Sequence, residues 1–187
     1  MTVTPTKIND LVILEPRVFG DGRGYFLESF KTQWWKEHYP GVEFVQDNES
    51  KSKRGVLRGL HFQTPPFAQA KLVRVIQGEV LDVAVDLRAD SPTYGKYDSV
   101  LLSEDNKRQL FVPRGFAHGF VVLSETAIFS YKVDNVYAPK NEGGILWNDT
   151  DLNIDWQIDA NEVLLSGKDK LLQHFSAFQS PFRMSEK

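Results

Sequence analysis

Two short stretches of this chain each join one arginine and one histidine to glycines and apolar side chains. The first is Gly55-Val56-Leu57-Arg58-Gly59-Leu60-His61-Phe62-Gln63. The second is Phe111-Val112-Pro113-Arg114-Gly115-Phe116-Ala117-His118-Gly119-Phe120. The chain has four histidines, and two of them fall here. Charged residues rarely enter an apolar, strand-like run without a partner or a task. One such His alone reads as a satisfied core histidine; the repeated pairing with Arg points to one site fed by two strands. Histidine in such a site transfers protons near neutrality or ligates a metal. Metal ligation needs converging donors. Gln63 follows His61 where a second His would serve, and Lys71, a cation that repels metal, opens the next strand. No metal is expected.

Strict alternation sets Arg58 and His61 on opposite faces of their strand. A bulge at Gly59 would change the phase and bring both to one side. In Thr126–Val133, Ala127, Phe129, Tyr131 and Val133 share a face, which points Tyr131 inward and gives its hydroxyl a need for a partner. Taken alone, Tyr131 is equally a packing residue, Lys71 a strand-edge lysine, and Ser166-Gly167-Lys168-Asp169 a polar turn before a helix.

The elements that hold these residues read as short strands. Leu11–Phe19 is the first, followed by the tight turn Gly20-Asp21-Gly22-Arg23-Gly24 and a second extended run, Tyr25–Phe30. Thr32 caps a short helix through Trp34, Trp35 and His38, ended by Pro40-Gly41. Val42–Gln46 reads as a strand that runs out into the polar stretch 46–50 and the solvated loop Lys51-Ser52-Lys53-Arg54. Lys71–Gln77 and Val80–Leu87 read as a hairpin about Gly78-Glu79. Leu81, Val83, Val85 and Leu87 take one face of its second arm, and Asp82, Ala84 and Asp86 the other. Further strands are expected at Tyr97–Leu102, Lys107–Val112, Phe120–Leu123 and Thr126–Val133, and a second helix at Asp169–Phe175. Many short strands at roughly ten-residue spacing mean an all-β sandwich or barrel with a few short helices. No linker divides residues 1–187, so a single domain is expected, with a helical C-terminal segment from about residue 169.

A chain of 187 residues buries a core without staples. It has no cysteine, which excludes disulfides, thiolate metal sites and a cysteine nucleophile. Lys and Arg number 22 against 25 Asp and Glu, a net charge of −3 with no basic block, which argues against a nucleic-acid partner. No apolar run approaches a membrane span, and Met1–Lys7 lacks the apolar core of a signal peptide. A cytoplasmic protein without a membrane partner is expected. Asn48-Glu49-Ser50 and Asn148-Asp149-Thr150 then match the glycosylation pattern by chance.

Together the motifs carry a family. Gly78-Glu79 after a His-bearing strand, then Pro113-x-Gly115-x-x-His118, resembles the paired motifs of the cupins, small double-sheet jelly rolls. A closer resemblance rests on Asp21-Gly22-Arg23-Gly24-Tyr25-Phe26, Arg58-Gly59-Leu60-His61-Phe62-Gln63, the run 113–120 and Tyr131. It continues through Tyr137-Ala138-Pro139, Glu142-Gly143-Gly144-Ile145, Trp147-Asn148-Asp149 and Ser166-x-Lys168-Asp169. In order, and over nearly the whole chain, these resemble the dTDP-4-dehydrorhamnose 3,5-epimerases.

The resemblance implies a jelly-roll isomerase that needs no cofactor and converts dTDP-4-dehydro-6-deoxy-D-glucose to dTDP-4-dehydro-L-rhamnose. It implies His61 as the base, Asp169 as the carboxylate that orients it, Tyr131 as the acid on the other face of the sugar, and Lys71 as the cation near the 4-keto oxygen. It implies Arg23, Phe26, Glu28, Gln46, Asn48, Arg58, His118, Tyr137 and Lys168 as contacts to the nucleotide sugar. It also implies a homodimer in which the segment with Arg23 and Glu28 reaches into the partner's site. One alternative is a related enzyme that inverts only C3 or C5, or moves the keto group. Another is a cupin that binds a sugar without chemistry, which leaves His61, Tyr131 and Asp169 unexplained.

Overall fold

The computed structural model describes residues 1–184; the last three residues of the expected domain, 185–187, lie outside the described residues. Two antiparallel sheets face each other. The first has six strands in the order β1 (Thr2–Pro5), β2 (Val12–Glu15), β10 (Gln109–Val112), β7 (Lys71–Gln77), β12 (Thr126–Val133) and β5 (Gln46–Lys53). The second has five, in the order β13 (Glu142–Gly144), β6 (Leu57–Gln63), β11 (Phe116–Val122), β8 (Glu79–Asp86) and β9 (Tyr97–Ser103). Two more, β3 (Val18–Asp21) and β4 (Gly24–Leu27), make a separate hairpin. This is the all-β, two-sheet architecture of a jelly roll.

Alternation along the strands decides what is buried where. Val73, Val75 and Phe129 from the first sheet meet Val80, Ala84, Phe116 and Phe120 from the second in the central core. On β8 the alternate residues Leu81, Val83 and Val85 face away from that core. There Leu152, Trp156 and Phe182 of the C-terminal segment cover them. The five-stranded sheet is therefore buried on both faces, which is why β8 is apolar almost throughout. On the outer face of the first sheet, Leu14, Leu72 and Phe111 pack under Trp35 of helix α1 (Thr32–His38). No helix among the described residues is long and apolar enough to cross a membrane.

Several sequence expectations need correction. The strand expected at Leu11–Phe19 is broken at Pro16-Arg17, so its second half joins β3 of the separate hairpin. Lys31, not Thr32, is the N-cap of α1, and it makes no side-chain cap bond. Val42–Val45 is not a strand, whereas the polar stretch Gln46–Lys53 is one. Lys71–Gln77 and the strand after it are not a hairpin. They belong to opposite sheets, and Gly78, at φ +79°, turns the corner between them. A Cβ at Gly78 would lie 2.1 Å from the Thr126 carbonyl oxygen, so the corner admits only glycine. The strand expected at Phe120 starts at Phe116. The helix expected over Asp169–Phe175 is two separate 3-10 turns, Asp169–Leu171 and Phe175–Ala177. Between them Gln173 bridges to Ile145 and its carbonyl accepts the Leu146 N–H, a sheet-like pairing that leaves no room for continuous helix.

Candidate active site

The cavity lies between the two sheets, and a bulge makes it possible. β6 and β11 pair His61 with His118 and Arg58 with Phe120. Two residues, Gly59 and Leu60, thus stand on β6 against the single Gly119 on β11. The extra residue changes the phase. Leu57, Leu60 and Phe62 pack outward into the apolar layer under the C-terminal segment, while Arg58 and His61 both line the cavity. Gly59, at φ +128°, and Gly119 touch at this point. A Cβ on Gly59 would sit 2.6 Å from the Gly119 Cα. The glycines beside each histidine are therefore a matter of close strand approach.

The cavity has two lobes, of about 300 and 310 Å³, which share His61, Lys71, Tyr131 and Glu142. These four form its waist. One lobe is lined by amides, with Gln46, Asn48, Gln63 and Gln69, and by Tyr137. The other holds Arg58, His118 and Lys168 together with Asp169 and Ser166. His61 and His118 come from the five-stranded sheet; Lys71 and Tyr131 come from the six-stranded sheet opposite.

His61 Nε2 lies 2.6 Å from Asp169 Oδ1. A carboxylate accepts, so Nε2 carries the proton and Nδ1 is left as the basic lone pair. Burial lowers the His61 pKa below its ordinary 6.5, although Asp169 opposes it, so the ring is neutral at pH 7. Asp169 is held by its own N–H, which donates to Ser166 Oγ at 3.1 Å. Burial pulls the Lys71 ammonium down to about 8 against the opposing charges of Asp82 and Glu142. The Tyr131 phenol is pushed above its ordinary 10 by burial, with Arg58 opposing and Glu142 adding to the rise. On β11, His118 Nε2 donates to both oxygens of the buried Asp82, at 2.8 and 3.0 Å. Burial pushes the Asp82 carboxyl up, with His118 and Lys71 opposing.

The sequence-derived residues therefore divide. His61, Asp169, Lys71, Tyr131, Gln46, Asn48, Arg58, His118, Tyr137 and Lys168 line the two lobes. Arg23 and Phe26 do not; they line a separate concavity on the β3–β4 hairpin, and Glu28 lines neither lobe. Arg114, which the repeated Arg–His pattern suggests for the same site, lies elsewhere. Its Nε donates to Asp134 at 2.9 Å, and it lines another cavity beside Tyr39 and Phe111. Reading the sequence missed Glu142 and Asp82. Glu142 accepts from the Tyr137 hydroxyl at 2.8 Å and from Lys168 Nζ. Burial alone would raise its carboxyl, but these bonds hold it below its ordinary value. The signal for Asp82 was a carboxylate in mid-strand on the face shared with Ala84. Gln63 spends its amide on backbone groups of residues 67, 136 and 138. Among the described residues no cluster of three or more His, Asp or Glu side chains is placed to hold a metal.

Comparison with known proteins identifies the family. A dTDP-4-dehydrorhamnose 3,5-epimerase of Shigella flexneri is 56% identical over 170 residues, 90% of this chain and 93% of that one. The crystal structure of the Elizabethkingia anophelis dTDP-4-dehydrorhamnose 3,5-epimerase superposes with a TM-score of 0.89 at 53% identity, covering 94% of this chain and 97% of that one. A Legionella pneumophila epimerase solved in complex with dTDP-4-keto-L-rhamnose superposes with a TM-score of 0.91 at 46% identity, covering 95% and 94%. The family's sequence model matches residues 5–177, and the chain belongs to the dTDP-4-dehydrorhamnose 3,5-epimerase family.

Proposed function

We propose that the protein inverts C3 and C5 of a dTDP-linked 4-keto-6-deoxyhexose, taking dTDP-4-dehydro-6-deoxy-D-glucose to dTDP-4-dehydro-L-rhamnose. One observation carries this reading: a histidine oriented by a carboxylate stands on one sheet, a phenol stands on the other, and the cavity lies between them. C3 and C5 both adjoin the C4 carbonyl. Loss of either proton leaves an enolate, and no redox step arises. Neutral His61 takes the proton at Nδ1, and Asp169 stabilises the imidazolium that forms. The Lys71 ammonium stabilises the enolate oxygen. Tyr131 returns a proton from the opposite face, which inverts the centre. Its raised pKa keeps it a donor at neutral pH. Solvent then takes the proton from His61 and restores the one on Tyr131. Arg58, His118 and Lys168 suit the diphosphate, Arg58 through its planar fork. Tyr137 offers an aromatic face to thymine.

The same reading makes the protein a homodimer in which the β3–β4 hairpin crosses to a second copy and brings Arg23, Phe26 and Glu28 to its cavity. The exposed Phe19, Tyr25 and Phe26 support this. A nucleotide-linked substrate and a chain free of cysteine fit a cytoplasmic enzyme. Incubation of dTDP-4-dehydro-6-deoxy-D-glucose in deuterated water tests the chemistry. Deuterium is expected at both C3 and C5 of an inverted product. Label and inversion at one carbon only would make the protein a single-centre epimerase, and no label at either would end the reading.

A further inference from the structure

Gln63 stands two residues beyond His61 on the cavity face of β6 and is buried. Its Nε2 donates to the Phe67 carbonyl at 2.7 Å and to the Val136 carbonyl at 3.1 Å, and its Oε1 accepts the Ala138 N–H at 2.7 Å. The amide orientation follows from these partners, since a flipped amide would set its oxygen against two carbonyls. Two of the three bonds bracket Tyr137. That residue is 55% exposed, and among the described residues its one side-chain bond is the hydroxyl's to Glu142. The other bonds of residues 136 and 138 are short-range: Val136 N–H to Asn135 Oδ1, and Asn141 N–H to the Ala138 carbonyl. The flanks are anchored separately, Asn135 by Gln69 Nε2 on its carbonyl and by its own Nδ2 on the Pro66 carbonyl, and Asn141 by the Thr64 N–H on its carbonyl. An aromatic ring that is largely solvated keeps its place only if its backbone is held, and on the two residues that flank Tyr137 directly the long-range hold is the Gln63 amide.

We propose that Gln63 is a positioning residue for nucleotide binding: by clamping residues 136 and 138 it fixes Tyr137 over the amide-lined lobe, where the ring receives the flat face of the base. This rests on the reading of Tyr137 as the base contact. Strand β6 then does two jobs with one face. His61 acts on the sugar, and Gln63 sets the platform for the base.

Gln63→Met keeps the side-chain length and removes all three bonds, while Gln63→Glu sets an anion against two carbonyl oxygens. Each variant should raise KM for the nucleotide sugar, and Kd for dTDP by calorimetry, roughly 10-fold, the scale of one base–aromatic stack, with kcat within about twofold of wild type. In a Tyr137→Ala background Gln63→Met should change KM less than about twofold, because the clamp has nothing left to place. An equal factor in both backgrounds would overturn the proposal. So would a fall in kcat at unchanged KM, which would tie Gln63 to His61 instead. Failure of both variants to fold, judged by circular dichroism, would make Gln63 a brace of the whole fold and would also overturn it. Wild-type protein that does not bind dTDP, or Tyr137→Ala that binds it unchanged, would instead sink the functional reading.

Discussion

The cavity between the sheets and the β3–β4 hairpin carry the two halves of the expected site, and they are built in opposite ways. In the cavity six ionisable groups pair within the chain: His61 with Asp169, His118 with Asp82, and Lys168 with Glu142. Four strands of the five-stranded sheet and the turn at Lys168-Asp169 fix them, and Lys71 and Tyr131 face them from the other sheet. The hairpin has two strands, with Val18 43%, Phe19 49%, Tyr25 59% and Phe26 63% exposed. Among the described residues Arg23 bonds only Asp21 of its own turn, and its side chain is 92% exposed. A lone two-stranded hairpin is marginal in water, and one that displays aromatics on both strands is suited to being covered. On the proposed reading the proton-transfer groups all come from one copy of the chain, whereas the hairpin residues assigned to nucleotide recognition would meet their target in a second copy.

The largest expected effect breaks the cavity side of this comparison. His61→Ala removes the base, and both epimerisation and deuterium exchange at C3 and C5 should fall by at least ~10²–10⁴, the usual worth of general-base catalysis. Tyr131→Phe keeps the ring and the base and loses only the second proton donor. Enolate still forms and His61 reprotonates it from the face it left, so deuterium enters while inversion is impaired. Mass spectrometry with NMR on the recovered sugar separates the two outcomes. Inversion of both centres by Tyr131→Phe at the wild-type rate would reduce Tyr131 to a packing residue. Normal exchange by His61→Ala would move the base elsewhere, with His118 the next candidate.

The hairpin side should respond more weakly and through binding. Phe19→Asp places a charge on the exposed aromatic face, beside its cross-strand partner Phe26. Light scattering should then report a monomer, and KM should rise roughly 30-fold as the charge-assisted contacts assigned to Arg23 and Glu28 are lost. Arg23→Ala should keep the dimer and raise KM by less. A Phe19→Asp monomer with wild-type kinetics would show that one chain suffices for recognition as well as for chemistry.

What could be read from the sequence follows the same division. Thr126–Val133 was legible to the residue because its inward face is apolar apart from Tyr131, and alternation against a dry core is the signal that strands give. β5 was not legible. Its inward residues Gln46, Asn48 and Ser50 line a polar cavity and Ser52 bonds Arg58, so both faces are polar and the strand looks like a loop. His61 and Asp169 are 108 residues apart and were joined only through the family resemblance. Nothing local marks Asp169, because a single 3-10 turn has no periodicity to read. The two Arg–His stretches look alike in sequence, yet only the first sends its arginine into the site. The bulge at Gly59 turns Arg58 inward, whereas Arg114 precedes its strand and pairs with Asp134. The Gly78-Glu79 spacing is that of a hairpin turn, and whether such a turn closes a hairpin or crosses between sheets depends on distant strands.

The smallest expected effect is a pH limb, and it sharpens what the cavity does. All four groups of the waist titrate from shifted positions, and Glu142, held below its ordinary value, sets no limb near neutrality. His61, lowered below 6.5 by burial, remains a base down to that region and sets the acid limb of kcat/KM. Tyr131, raised above 10, stays a donor well into alkaline pH and cannot set the other limb there. Lys71, at about 8, can. Above that value the free enzyme loses the cation that stabilises the enolate, and kcat/KM should fall roughly tenfold from pH 7 to pH 9, as the charged fraction does. Stability moves the other way. The folded chain releases the Lys71 proton at about 8 and the unfolded chain near the ordinary 10.5. Between those values the unfolded state binds more protons, so this group makes the fold more stable as pH rises through the window. Activity lost to alkaline unfolding would therefore come with a falling melting temperature, whereas activity lost to Lys71 comes without one. Lys71→Arg keeps a cation at every accessible pH. Whatever its absolute rate, its kcat/KM should lose the alkaline limb near 8, and a limb that stays in place would assign it to another group.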